Sequence, residues 1–231
     1  DAKAEIFDGL EEGGSAVLNR DNPHFDRLAE KARAAGAKMI WGFGVHSFAN
    51  ARLLAYEPDA QGSRVEATVG SRHLKYRIAM RGKHWALNSI AVLAAATSLG
   101  ADPEQAAAAL SEVTPTKGRG QVFSVALADG SLTVIDETYN ASPVAMRAAF
   151  DVLAATKPGR GGQYMTDVLD DLPSDLHGGR AGASAQLAEL VTRKLRAGDL
   201  VLIKGSAGAH MSKVVEAIRA MGDVTDGEGG A

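Results

Sequence analysis

Ser15-Ala16-Val17-Leu18, then Phe25, Leu28, Ala29 and Ala32, then Lys38-Met39-Ile40-Trp41-Gly42-Phe43: this stretch decides the fold class. The first and last pieces are short apolar runs of strand length, and the middle one repeats at helical spacing. Asn22-Pro23 predicts the helix start, because proline is tolerated at the first helical position, and Gly36 predicts its end. Strand, helix, strand in this order is the signature of a parallel sheet with helices on its faces. The chain opens on Asp1, and Ala2-Lys3-Ala4-Glu5-Ile6-Phe7 already reads as the interior of a helix pattern, so a longer parent chain is expected.

Further along, the runs 52–56, 64–69 and 73–78 alternate roughly between apolar and polar, which predicts antiparallel strands with one wet face. Gly82 introduces an alanine-rich helix to Leu99, ended by Gly100, and Asp102-Pro103-Glu104 caps another to about Val113. Pro115 and the glycines of Lys117-Gly118-Arg119-Gly120 mark a domain boundary, giving domains over 1–117 and 118–222. Beyond it, 121–127 and 132–136 predict a hairpin around Asp129-Gly130. Helices follow at 143–155 and 184–196, then a strand at 200–203 leading into Lys204-Gly205-Ser206 and a last helix. The polar, glycine-rich residues 223–231 are expected to be a disordered tail. The fold class is α/β.

Bulk properties exclude several functions. The 231 residues are 45% apolar and 23% charged with a net charge of −3, an ordinary soluble composition. No basic face points to nucleic acid. With no cysteine, disulfides and thiolate metal sites are excluded, and the usage fits a cytoplasmic protein. The longest apolar run, 90–96, falls far short of the roughly 20 residues that span a bilayer.

Four polar clusters carry candidate chemistry. In Gly82-Lys83-His84-Trp85-Ala86-Leu87-Asn88, His84 and Asn88 share a helix face, and Asn88 has the donor and acceptor to meet a purine edge; it would equally sit against backbone. In Gly118-Arg119-Gly120 the glycines permit a sharp turn that leaves the guanidinium for an anion, or the segment is a plain linker. In Asp136-Glu137-Thr138-Tyr139-Asn140-Ala141-Ser142-Pro143, a buried strand ends in a polar cluster where open α/β sheets bind ligands, and Ser142 also suits a helix cap. Lys204-Gly205-Ser206-Ala207-Gly208 can cradle an anion on free amides or make a tight strand-to-helix turn. It is not a P-loop, since the order G-x-x-x-x-G-K-[ST] is absent.

Taken together and in this order, the four clusters resemble the Mur ligase family. Gly82 to Asn88 is similar to its G-x-H-N-x-x-N motif, with Trp85 in place of the first Asn. Gly118-Arg119-Gly120 resembles the segment that opens its last domain. Asp136 to Pro143 resembles D-D-S-Y-N-A-N-P, the form found in members that add D-alanyl-D-alanine, and Lys204-Gly205-Ser206 resembles the family's K-G-S turn. The resemblance implies a partial mononucleotide-binding central domain followed by a smaller Rossmann-like C-terminal domain. It implies ATP and Mg2+, with a UDP-muramoyl-tripeptide and D-alanyl-D-alanine as the joined substrates, in peptidoglycan precursor synthesis in the cytoplasm. By position, Asn88 would meet adenine, Arg119 the phosphates or ribose, and Asp136 the ribose, while Tyr139, Asn140, Lys204 and Ser206 would line the substrate cleft. A folylpolyglutamate synthase-type ligase and a non-catalytic nucleotide- or partner-binding module are the alternatives. A nicotinamide dehydrogenase is disfavoured, because no G-x-G-x-x-G follows a strand.

Three departures predict an inactive fragment. In the family, the P-loop, with the acidic residue and histidine that manage magnesium, lies upstream of the part matched here. Gly159-Arg160-Gly161-Gly162 falls where the family has a buried strand, ahead of a loop that Asp167 marks. After Asp175-Leu176-His177, one strand–helix unit is expected to be missing.

Overall fold

The computed structural model describes residues 2–59, 61–155 and 181–226 and divides into two compact units, Asp1–Thr114 and Pro115–Ala231. In the first, a 3-10 helix, Ala2–Gly9, precedes β1 (Ser15–Asn19), α1 (Phe25–Ala34) and β2 (Met39–Gly44). The strands β3 (Ala51–Asp59), β4 (Gly62–Val69) and β5 (Arg72–Ile78) follow, then helices α2 (Lys83–Ser98) and α3 (Pro103–Leu110). All five strands form one sheet in sequence order. The pairs β1–β2 and β2–β3 are parallel, and β3–β4–β5 antiparallel.

The strand–helix–strand reading of 15–43 therefore holds, and side-chain alternation explains its two-sided cover. On β1, Ala16 and Leu18 pack with Phe7, Ala29 and Ala32, whereas Val17 packs with the core beneath α2. That core sets Ile90, Leu93 and Ala94 against Leu53, Val65, Val69, Leu74 and Ile78. Trp85 packs partly buried against it, which explains why an aromatic is accommodated there. Asp102 caps α3 as expected, accepting from the amides of Glu104 and Gln105 at 3.0 and 2.9 Å. Pro23, by contrast, is not the first helical residue: Asn22 accepts from His24 N at 2.9 Å, making a turn, and α1 begins at Phe25.

The second unit runs β6 (Gln121–Leu127), β7 (Gly130–Glu137), α4 (Pro143–Ala155), α5 (Ser184–Thr192), β8 (Leu200–Lys204), α6 (Ser212–Arg219) and β9 (Val224–Asp226). Its sheet order is β8-β7-β6-β9, with β7–β8 parallel and the other pairs antiparallel. The hairpin closes at Leu127 and Gly130. Phe123, Val125, Leu132 and Val134 form its core with Leu187, Val191, Val214 and Ile218.

Two expectations change. Pro115 to Lys117 group with the second unit, where Lys117 pairs with Glu216 at 3.2 Å. The expected disordered tail starts as a strand: β9 finds the open edge of β6, Ala126 N donates to Asp223 O at 2.9 Å, and Arg219 pairs with Asp226 at 3.2 Å. The glycine-rich stretch 159–162, Asp167, 175–177 and the expected loss of a strand–helix unit lie outside the described residues, as do 227–231.

Candidate functional site

The parallel strands β7 and β8 end side by side, with Glu137 in register with Lys204. The carboxyl ends of parallel strands are where α/β sheets hold ligands, because the backbone there leaves the sheet in loops. Five of the candidate residues come together at this edge: Arg119, Asp136, Tyr139, Asn140 and Lys204.

Asp136 is 1% exposed, and its carboxylate is fully engaged by its own neighbourhood. Gly118 N donates to Oδ2 at 3.1 Å, while Thr138 N and Oγ1 donate to Oδ1 at 3.2 and 2.7 Å. Backbone bonds reinforce the tie: Gly120 N donates to Asp136 O at 2.9 Å, and Tyr139 N to Gly118 O at 3.1 Å. Gly118 takes φ 78°, and a Cβ there would sit 3.1 Å from Thr138 Oγ1, so glycine suits both the turn and the close approach. A buried carboxylate with these donors fastens the 118–120 turn to the end of β7.

Lys204 is held in a similar way. Its side chain is 4% exposed. Its ammonium donates to Glu137 O at 3.2 Å, to Glu137 Oε2 at 3.4 Å and to Asn140 O. An ammonium has three protons, and these acceptors match them. Lys204 therefore braces the loop after β7. Asn140 is exposed, but its Oδ1 accepts from Ser142 N at 3.0 Å, and Ser142 Oγ accepts from Ala145 N at 3.3 Å, so this pair opens α4. Ser206 is exposed beside Ala207, whose N donates to Tyr139 O at 3.1 Å.

What faces outward is Arg119, whose guanidinium carbon lies 3.6 Å from the centre of the Tyr139 ring. Glu137, absent from the sequence-derived site, sits just behind. Burial pushes its carboxyl up from the ordinary range, Asp136 adds to the rise, and Lys204 and Arg119 oppose it. The signal that points to it in sequence is its place in the adjacent pair Asp136-Glu137. Asn88 belongs to the first unit, exposed on α2. His84, one turn earlier, has its ring centre 5.5 Å from that of Trp85. Among the described residues no three His, Asp or Glu side chains gather as a metal site.

Comparison with known proteins shows what the chain is similar to. Residues 1–96 match the Mur ligase middle domain. The chain is 25% identical over 252 residues to the UDP-N-acetylmuramoyl-tripeptide–D-alanyl-D-alanine ligase of Rickettsia prowazekii, covering 94% of this chain and 55% of that protein. It is 26% identical over 257 residues to the same-named ligase of Bacillus subtilis, covering 94% and 53%. The chain thus spans about half the length of these curated relatives. Among solved structures it matches MurF of Acinetobacter baumannii at TM-score 0.72 and 22% identity, over 95% of this chain and 55% of that one. It matches MurF of Thermotoga maritima in complex with ADP at 0.68 and 17%, over 95% and 56%. The Mycobacterium tuberculosis folylpolyglutamate synthase complexed with ADP matches at 0.59 and 15%, over 95% and 50%. At these identities the structural likenesses speak for the α/β fold alone.

Proposed function

We propose that this chain, whose residues 1–96 match the Mur ligase middle domain, is the nucleotide-handling part of an ATP-dependent amide ligase. The reaction is the addition of D-alanyl-D-alanine to a UDP-N-acetylmuramoyl-tripeptide in peptidoglycan precursor synthesis. The Rickettsia prowazekii and Bacillus subtilis relatives carry that name. In this chemistry the peptide carboxylate takes the γ-phosphoryl group of ATP, and the amine then displaces phosphate as the amide bond forms. On this reading the reaction takes place in the cytoplasm, and no described helix is long and apolar enough to cross a membrane.

The observation that carries this reading in the second unit is the outward guanidinium of Arg119, at the carboxyl ends of β7 and β8. A planar guanidinium suits a phosphate oxygen pair. Asn88 supplies an amide for an adenine edge in the first unit. Positioning and charge dominate catalysis of phosphoryl transfer, and a P-loop contributes much of both. This sequence has no P-loop motif. The chain by itself therefore binds nucleotide weakly and does not complete the ligation.

Calorimetry with ATP tests the reading. Weak binding that Asn88→Ala and Arg119→Ala each reduce, with no phosphate release when the two substrates are added, is the expected result. A folded chain with no ATP binding, or binding untouched by both substitutions, would overturn it. The folylpolyglutamate synthase-type alternative draws only on the fold likeness at TM-score 0.59. Stabilisation of the chain by a folate, and not by the muramoyl nucleotide, would favour it.

A further inference from the structure

Tyr139 is 52% exposed, yet its backbone is held on both sides, its N bonded to Gly118 O and its O to Ala207 N, each at 3.1 Å. An exposed aromatic ring on so constrained a loop is presented deliberately by the fold, and what covers it is the guanidinium of Arg119, 3.6 Å from its centre. The backbone beside Arg119 is constrained by the same strand end, through Gly118 N and Gly120 N to Asp136. The turn that carries Arg119 is thus anchored to Asp136, and Tyr139 is tied to that turn through Gly118 O, while the Oε2 of the neighbouring acid, Glu137, is bonded to Lys204.

The chemistry of the stack matters. A cation lying over a ring uses the face of the guanidinium, leaving its five N–H donors in the plane and pointing away. A carboxylate partner would instead engage those donors and neutralise the charge. Holding the arginine by an uncharged ring fixes its direction and keeps both charge and donors for an incoming anion.

We propose that Tyr139 is a positioning residue, whose ring sets the Arg119 guanidinium to receive the phosphates of a bound nucleotide. The inference rests on the nucleotide-binding reading above and gives Tyr139 a role other than lining the substrate cleft.

The test combines a spectroscopic and a binding readout on this chain. In NMR spectra the side-chain protons of Arg119 should show ring-current shifts in the wild type and in Tyr139→Phe, lost in Tyr139→Leu. By calorimetry, Tyr139→Leu should weaken ADP by about two- to fivefold, as an exposed cation–π contact would. Adenosine affinity should be unchanged, and Tyr139→Phe should bind ADP like the wild type. In an Arg119→Ala background, Tyr139→Leu should have no further effect. ADP binding that is indifferent to Tyr139→Leu, or no ring-current shift in the wild type, overturns the positioning role and leaves the nucleotide reading standing. Equal losses for ADP and adenosine overturn it too, by making the ring a direct nucleoside contact. A wild-type chain with the shifts intact and no ADP affinity sinks the nucleotide reading and this inference with it.

Discussion

Asp136 and Thr138 show how a charged residue in a candidate ligand-binding region can serve the fold. The Asp136 side chain accepts from Gly118 N and twice from Thr138. Replacing it by asparagine keeps the size and one oxygen but turns an amide NH2 toward a backbone N–H, leaving a buried donor unmet. Such a loss costs about 1–3 kcal/mol. Urea unfolding of Asp136→Asn should therefore show a stability loss of about that size. Unchanged stability with reduced nucleotide affinity would instead restore Asp136 as a ligand contact. In sequence, Asp136 and Lys204 are legible as members of a polar cluster, but not as its braces. Which partner a buried carboxylate takes depends on a turn 18 residues away, and no local pattern encodes that.

Among the elements, those governed by local chemistry were legible. The Asp102 cap, the stop at Gly100 and the hairpin at Gly130 follow from residues within a turn of each boundary. The strand β9 was not, since its polar Val224-Thr225-Asp226 is extended only because β6 offers an unpaired edge. The turn between β3 and β4 shows a second nonlocal demand. Gly62 has φ 131°, and a Cβ there would meet Ile78 O at 2.1 Å on the neighbouring strand β5. Both the backbone conformation and the space reject a side chain, so Gly62→Ala should lose about 3 kcal/mol or more. Thermal unfolding followed by tryptophan fluorescence checks it. A loss below about 1 kcal/mol would mean that β5 shifts away easily and that the sheet is not held at this corner.

At the scale of the whole chain, the buried clusters respect the two units: those around Ile90 and Phe7 lie in Asp1–Thr114, and that around Phe123 in Pro115–Ala231. A unit with its own core can unfold on its own. Both tryptophans of the sequence, Trp41 and Trp85, fall in the first unit, so fluorescence reports that unit while far-UV circular dichroism reports both. Phe123 is fully buried, and truncating such a ring costs about 3–5 kcal/mol. In guanidinium, Phe123→Ala should leave the fluorescence midpoint where it is and add an earlier step to the dichroism curve. Ile90→Ala should do the reverse, moving the fluorescence midpoint by the equivalent of about 2–5 kcal/mol. If Phe123→Ala drags the fluorescence midpoint down with it, the two cores unfold as one cooperative body. If the midpoints separate, each unit is stable by its own core, and Asn88 and Arg119 belong to parts of the chain that fold independently.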